Sequence, residues 1–244
     1  MSFRRPLLIA IVLSLSACAS MRDAPEPDQY GDQDPMLSEY DVPHALVPEA
    51  FLSASTPDDN IDSPASWRAP DGTTWVFATA KVGGQLVIYD GDTGATLRRF
   101  GSEGDGPGQF RRPNGVAVHG DLLFVVERDN RRVQVLSLPA LTTLTSFGRE
   151  QLTQPYGLWV RELAPGDLEV IVTDAYMAGK RPNGWDIAPP LPELDHRMQR
   201  YRVTLSAGGA SARHVAAFGD VSAAGAIRIP ESIQGDVAHD RLLI

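Results

Sequence analysis

Residues 100–138 read FGSEGDGPGQFRRPNGVAVHGDLLFVVERDNRRVQVLSL and hold a loop, a Pro-x-Gly mark and a series of strand patterns in one compact unit. Gly101, Gly104, Gly106 and Gly108 surround Pro107, and a segment so rich in glycine sustains neither a helix nor a strand interior. The stretch before Phe110 is therefore loop. Val116 and Val118, then residues 122–126, then Val133, Val135 and Leu138 are short aliphatic runs. His119-Gly120-Asp121 and Arg128-Asp129-Asn130 separate them, so the pattern predicts a small antiparallel sheet.

The unit recurs. Phe100-Gly101 leads to Pro113-Asn114-Gly115, Phe147-Gly148 to Pro155-Tyr156-Gly157, and Phe218-Gly219 to Pro230-Glu231-Ser232. A hydrophobic strand pair follows each mark, over residues 115–127, 157–174 and 232–244. The first two marks are about 42 residues apart, a propeller-blade period, and an insertion delays the third. A sheet this small cannot bury its own face, so the copies must stack. An earlier, divergent copy starts at Ser63-Pro64-Ala65-Ser66-Trp67, with strands over 73–80 and 85–90 and a Gly91-Asp92-Thr93-Gly94 hairpin turn. The fold class read from this pattern is all-β: a β-propeller of four-stranded blades, with roughly three and a half blades in this chain. Because closed propellers hold about four to eight blades, the chain is expected to be a fragment or an early-terminated gene product.

Two segments precede the repeats. Arg4 and Arg5 stand before an apolar run over residues 6–15 that is too short for an ordinary membrane-spanning helix, as in a bacterial export signal. Leu15-Ser16-Ala17-Cys18 looks like a lipobox, which makes Cys18 the expected lipidation site. A simple secretory signal or an uncleaved anchor is the alternative. Ala19 and Ser20, rather than Asp, resemble the residues that send bacterial lipoproteins to the outer membrane. Residues 19–48, rich in Asp, Glu and Pro, read as a solvated tether, with a first edge strand expected over 47–52. Cys18 is the only cysteine, so no intrachain disulfide forms.

Lys+Arg 22 against Asp+Glu 31 gives a net charge of -9, which argues against nucleic acid as a partner, since phosphate backbones need a basic footprint. The five histidines have no zinc spacing, and the chain holds no Gly-x-Ser-x-Gly elbow. The glycine-rich loop lacks the Lys-Ser/Thr ending of a phosphate-binding loop. In a propeller, the connection into the inner strand and the one joining the second strand to the third share a rim. That rim carries Asp62-Ser63-Pro64, Asn114-Gly115, Tyr156-Gly157 and Glu231-Ser232, together with Lys81, Glu127-Arg128 and Asp174. Stacking should gather these groups around one mouth, where mixed carboxylates and cations suit a metal-bridged anion. Each has a plainer alternative. Asp58-Asp59 with Asp62 is a calcium cluster or a solvated acidic patch; Lys81 and Arg128 bind phosphate or face water; Asp174 is a ligand or a turn residue. Residues 177–197, with Lys180 and Trp185, interrupt the third blade as a lid or a passive loop.

Two resemblances follow from these residues. Residues 100–136 resemble an NHL repeat, with Gly-Pro-Gly-Gln-Phe, Pro-x-Gly-Val-Ala-Val and Asn-x-Arg-Val-Gln-Val. From about Asp58 onward the chain resembles the β-propeller phytases, six-bladed calcium-dependent enzymes that release phosphate from myo-inositol hexakisphosphate. The matching segments are residues 58–67 (DDNIDSPASW), 80–89 (AKVGGQLVIY), Tyr156-Gly157-Leu158, Val172-Thr173-Asp174 and residues 231–244. The resemblance implies Glu231, Lys81 and Arg128 as catalytic groups and Lys81, Arg128 and Lys180 as phosphate binders. It implies Asp59, Asp62, Asn114, Asp174 and Glu231 as calcium ligands. Ser63 stands where the family has an aspartate, Gly115 and Ala117 where it has Asn and Asp, and the chain ends before the family's Glu-Glu pair. The implied protein is a monomeric, exported lipoprotein acting on a phosphorylated small molecule. The alternative is a non-catalytic NHL-type propeller that binds a protein or glycan at the cell surface.

Overall fold

The computed structural model describes residues 48–244, and the export signal, Cys18 and nearly all of the tether lie outside them. Residues 48–52 form no strand; they are exposed, and the Phe51 ring lies against Gly94, where a Cβ would come within 2.5 Å of it. The expected edge strand is therefore absent from the described part of 47–52, where a ring against a glycine turn takes the place of ladder pairing. Among the described residues no helix is long and apolar enough to cross a membrane.

Three four-stranded antiparallel sheets follow in chain order. The first blade is β1 (Ile61–Arg68), β2 (Thr74–Ala80), β3 (Gln85–Asp90) and β4 (Thr96–Phe100). A short parallel pair, β5 (Ser102–Glu103) and β6 (Gln109–Phe110), closes the glycine-rich loop. The second blade is β7 (Pro113–His119), β8 (Leu122–Glu127), β9 (Arg132–Ser137) and β10 (Thr142–Phe147). The third is β11 (Pro155–Ala164), β12 (Asp167–Asp174), β15 (Met198–Ser206) and β16 (Gly209–Phe218). Its insertion holds a small hairpin, β13 (Gly179–Lys180) and β14 (Asp186–Ile187). A final hairpin, β17 (Gln234–Asp236) and β18 (Arg241–Leu243), begins a fourth unit. The chain is an incomplete β-propeller, as the repeat spacing predicts.

The strands alternate by design of the sequence. In β7 and β8, Val116, Val118, Leu123 and Val125 face the first blade, whereas Ala117, Leu122, Phe124 and Val126 face the third. Each residue step flips the face, so one blade feeds two cores. The first core includes Trp67, Phe77, Leu86, Ile88 and Phe110, and the second Leu158, Val170, Val172, Tyr201 and Val203. Burying a Leu, Val or Phe side chain contributes roughly 1.5–3 kcal/mol, so these two interfaces dominate the stability of the stack.

The glycine-rich loop is fixed by the blade beside it. The Arg132 guanidinium donates to the carbonyls of Asp105 (2.6 Å), Gly106 (3.1 Å) and Gln109 (2.9 Å), and Gln134 Nε2 donates to Gln109 O (2.8 Å). Glu127, fully buried, accepts from Arg132 Nε at 2.5 Å and Gln134 Nε2 at 2.8 Å, which neutralises the buried guanidinium.

The inner strands share one irregularity. β1, β7 and β11 each shift register just after their first residue, between Ile61 and Pro64, Pro113 and Val116, and Pro155 and Leu158. The three shifts align Asp62, Asn114 and Tyr156 as equivalent second residues, and Ser63, Gly115 and Gly157 as equivalent third ones. The glycines have a use: a Cβ on Gly115 would lie 2.5 Å from Tyr156 O, and one on Gly157 would lie 2.2 Å from Glu231 O. Backbone therefore packs on backbone from one blade start to the next. Thr79 Oγ1 donates to Asn114 O at 2.7 Å, and Thr173 Oγ1 to Glu231 O at 3.0 Å, across two of these junctions.

Candidate functional site

The bulged starts of β1 and β11 bring their second residues, Asp62 and Tyr156, together at one mouth. Lys81, just past β2, forms an ion pair with Asp62 at the start of β1. Its Nζ also donates to the Tyr156 hydroxyl from the third blade at 3.2 Å, and that hydroxyl donates to Asp62 Oδ2 at 3.3 Å. Side chains 75 and 94 positions apart in sequence thus close one triangle. Lys81 and Asp62 are 13% and 22% exposed, enough for a ligand to reach them.

Electrostatics act on Lys81 and Tyr156 in the same sense, against loss of their protons. Burial by itself lowers the Lys81 pKa, but the hydrogen bonds and charges of Asp62 and Tyr156 outweigh it, and the net shift is upward. Burial raises the Tyr156 phenol, the Lys81 charge opposes that, and the negative charges of Asp62 and Glu231 add to it. The lysine stays cationic and the phenol stays a neutral donor. Glu231 is exposed, and its carbonyl sits against Gly157, beside Tyr156.

Next to Lys81, a cavity of about 190 Å³ is lined by Arg111, Arg112, Glu103 and Asp129, with the Gly83-Gly84 turn at its side. Arg128 is half-buried on the adjoining turn, where its N–H donates to Arg112 O at 3.1 Å. Lys81 thus borders this cavity, Arg128 is tied through its backbone to Arg112 in the lining, and Glu231 lies beside Tyr156. A second cavity, about 240 Å³, lies between the third blade and the β17–β18 hairpin; its Arg161–Glu169 and Arg241–Asp236 pairs (2.7 and 3.2 Å) already balance its charge.

Several expected site residues lie elsewhere or are already engaged. Asp59 turns to the outer strand of its blade, where the Arg99 guanidinium grips it with contacts of 2.7 and 2.6 Å and holds its carboxyl below the usual carboxylate range. Asp174 is buried and accepts from the N–H groups of Thr153 (2.9 Å) and Gln154 (2.6 Å); desolvation raises its pKa despite them. It clamps its own blade's loop instead of facing a ligand. Lys180 belongs to the insertion hairpin, exposed and 3.3 Å from Asp186. Asn114 is fully buried, and both Oδ1 and Nδ2 lack a hydrogen-bond partner.

This donor set does not fit the calcium that the resemblance implies. Calcium takes about six to eight oxygens, several of them from carboxylates. Here Asp59, Asp62 and Asp174 are held by a guanidinium, an ammonium and two backbone amides. Among the described residues no three His, Cys, Asp or Glu side chains gather as a metal cluster.

Sequence reasoning placed Tyr156 on the rim but gave it no role, and it did not single out Arg111 or Arg112. The signal for Tyr156 was its position, equivalent to Asp62 and Asn114. The Arg-Arg dipeptide before Pro113 carries no motif that separates it from a solvated pair.

No family model and no curated protein matches the sequence. Among solved structures, a proposed 6-phosphogluconolactonase from Bacteroides uniformis is similar at 13% identity and a TM-score of 0.46, over 78% of this chain and 50% of that one. A proposed exported protein from Bacteroides fragilis matches at 12% identity and a TM-score of 0.38, over 62% of this chain and 38% of its own. The hydrazine synthase of Kuenenia stuttgartiensis matches at 12% identity and a TM-score of 0.35, over 78% and 54%. The chain spans about half the length of the structures it matches. At these identities the likeness concerns the fold alone.

Proposed function

We propose that the rim of this propeller binds and hydrolyses phosphate monoesters in the manner of a phytase, with inositol phosphates as the substrate class. The meeting of Lys81, Asp62, Tyr156 and Glu231 at one mouth carries this reading. In it, the Lys81 ammonium is a point charge for phosphoryl oxygens, held in place by Asp62 and by the Tyr156 hydroxyl, which accepts from Lys81 and donates to Asp62. The exposed Glu231 carboxylate takes the proton from the attacking water. Arg128, on the same rim, meets charge that develops on the phosphoryl group.

The test is phosphate release from phytate by the full-length chain, with and without chelator, alongside Lys81→Met. Removing a charged hydrogen-bond donor should lower kcat/KM by about 10–100-fold. A variant as active as the parent, or a well-folded parent that releases no phosphate, ends this reading.

A second reading is a non-catalytic NHL-type propeller that binds a protein or glycan. The occupied state of Asp59, Asp62 and Asp174 favours it, since it needs no free carboxylate. Folded protein that captures a glycan array or surface protein without releasing phosphate would select it. The same proposal places the protein as a monomer anchored at the outer membrane through a lipid on Cys18. Palmitate labelling that Cys18→Ser abolishes is the expected result.

A further inference from the structure

We infer that the rim holds phosphate without calcium, through the Arg111 and Arg112 side chains together with Lys81. The inference rests on the phosphate-ester reading and names the charge that serves it. Among the described residues several arginines are engaged: Arg99, Arg132, Arg161 and Arg202 each meet a carboxylate, and Arg197 meets three carbonyls. Among the described residues, neither the Arg111 nor the Arg112 guanidinium has a hydrogen bond or ion pair, and Arg112 Nε is buried without an acceptor. A buried N–H without an acceptor is costly; Arg197 Nε and Arg200 Nε share that state, but their side chains have other partners, whereas the Arg112 side chain lines an open cavity with none, so a ligand is its expected acceptor.

The placement of Arg112 is built into the backbone. Its φ is +47°, a conformation unusual for a side chain of this size, and its carbonyl is tied to Arg128 N at 3.1 Å. The guanidinium is therefore set beside the cavity by the chain's path, with no side-chain partner of its own. The lining holds Lys81, Arg111 and Arg112 with Glu103 and Asp129; Lys81 is paired with Asp62, so Arg111 and Arg112 are the cations there without an ion-pair partner among the described residues. A volume of about 190 Å³ is several times the roughly 30 Å³ share of one water, so a tetrahedral oxyanion fits. Planar guanidinium forks match its oxygens. The rim carboxylates point the same way: Asp62 is neutralised by Lys81 and Asp59 by Arg99, so a cation entering there must first break an ion pair. The Arg111 and Arg112 guanidinium groups are in place to meet phosphate oxygens that a metal would otherwise meet.

The full-length chain, dialysed against EGTA, is titrated with inorganic phosphate by calorimetry, then again with calcium added. Equal affinity in the two buffers is expected. The double variant R111Q/R112Q should bind about 10–100-fold more weakly, the loss typical of charge-assisted hydrogen bonds, while still unfolding cooperatively. Arg112→Gly accepts the positive φ and removes only the side chain, so it should weaken phosphate binding without loss of fold. Binding that appears only with calcium, or a double variant that binds like the parent, overturns the inference and leaves the phosphate-ester reading standing. A folded parent that binds no phosphate in either buffer brings down that reading instead.

Discussion

Blade 1 and its two successors differ at one repeated position that decides where their charge is used. The first residue of each inner strand pairs with the last of the second strand: Ile61 with Ala80, Pro113 with Glu127, Pro155 with Asp174. In blades 2 and 3 that last residue is a buried carboxylate that accepts backbone N–H groups just ahead of the proline, from Arg111 (3.2 Å) and from Thr153 and Gln154. Blade 1 has Ala80 there, and its charges sit one residue further on, at Asp62 and Lys81, where they meet Tyr156 at the mouth. The repeat that keeps its carboxylate uses it on its own loop. The repeat that has lost it leaves charge for the rim.

Glu127→Ala is the strongest way to break this comparison. It strands the buried Arg132 guanidinium and should cost about 3–5 kcal/mol in urea unfolding; a loss under ~1 kcal/mol would mean the pair is dispensable. Gly157→Ala comes next. Its Cβ would meet Glu231 O at 2.2 Å, and the overpacking should cost about 1–3 kcal/mol. Thr173→Val removes the hydroxyl that joins Gly157 N to Glu231 O and should cost about 1 kcal/mol.

The smallest effect is a difference in pH dependence between two carboxylates read alike from sequence. Burial raises the folded pKa of Asp174, so the folded state holds that proton more tightly, and stability falls as pH rises from 3.8 towards the raised value. Asp59 has the opposite sign: Arg99 lowers its folded pKa, so its contribution is complete above 3.8 and fades as pH falls through the lowered value. That contribution is about 0.5 kcal/mol, because the pair is partly solvated. Unfolding of Asp174→Asn and Asp59→Asn from pH 3 to 7, each relative to the parent, should show differences of opposite slope; matching slopes would refute the assignment.

The propeller was legible because glycine and proline fix backbone geometry locally, and the same geometry recurs wherever Pro-x-Gly does. The nearness of Asp62 to Tyr156 follows from the same repetition, since both hold the second position of a bulged strand start; Asn114 holds it too and is buried. Individual roles were less so. An acid at a strand end reads alike whether it clamps a loop, as Asp174 does, or faces solvent; only the register with Pro155 separates the two. Asp59 looked free beside Asp58 because its partner Arg99 lies 40 positions away. Lys180, expected among the phosphate binders, lies instead 3.3 Å from Asp186 in the insertion hairpin, a pairing across a turn that carries no motif.

The close backbone approach at Gly115 and Gly157 has a further bearing on how such a molecule diversifies. Neighbouring blades touch there through main chain, so those contacts make no use of which side chain precedes the glycine. At Tyr156 that side chain adds a second link of its own, reaching Lys81 and Asp62 of the first blade, so a new fitting at the mouth would be felt between blades as well as by a ligand.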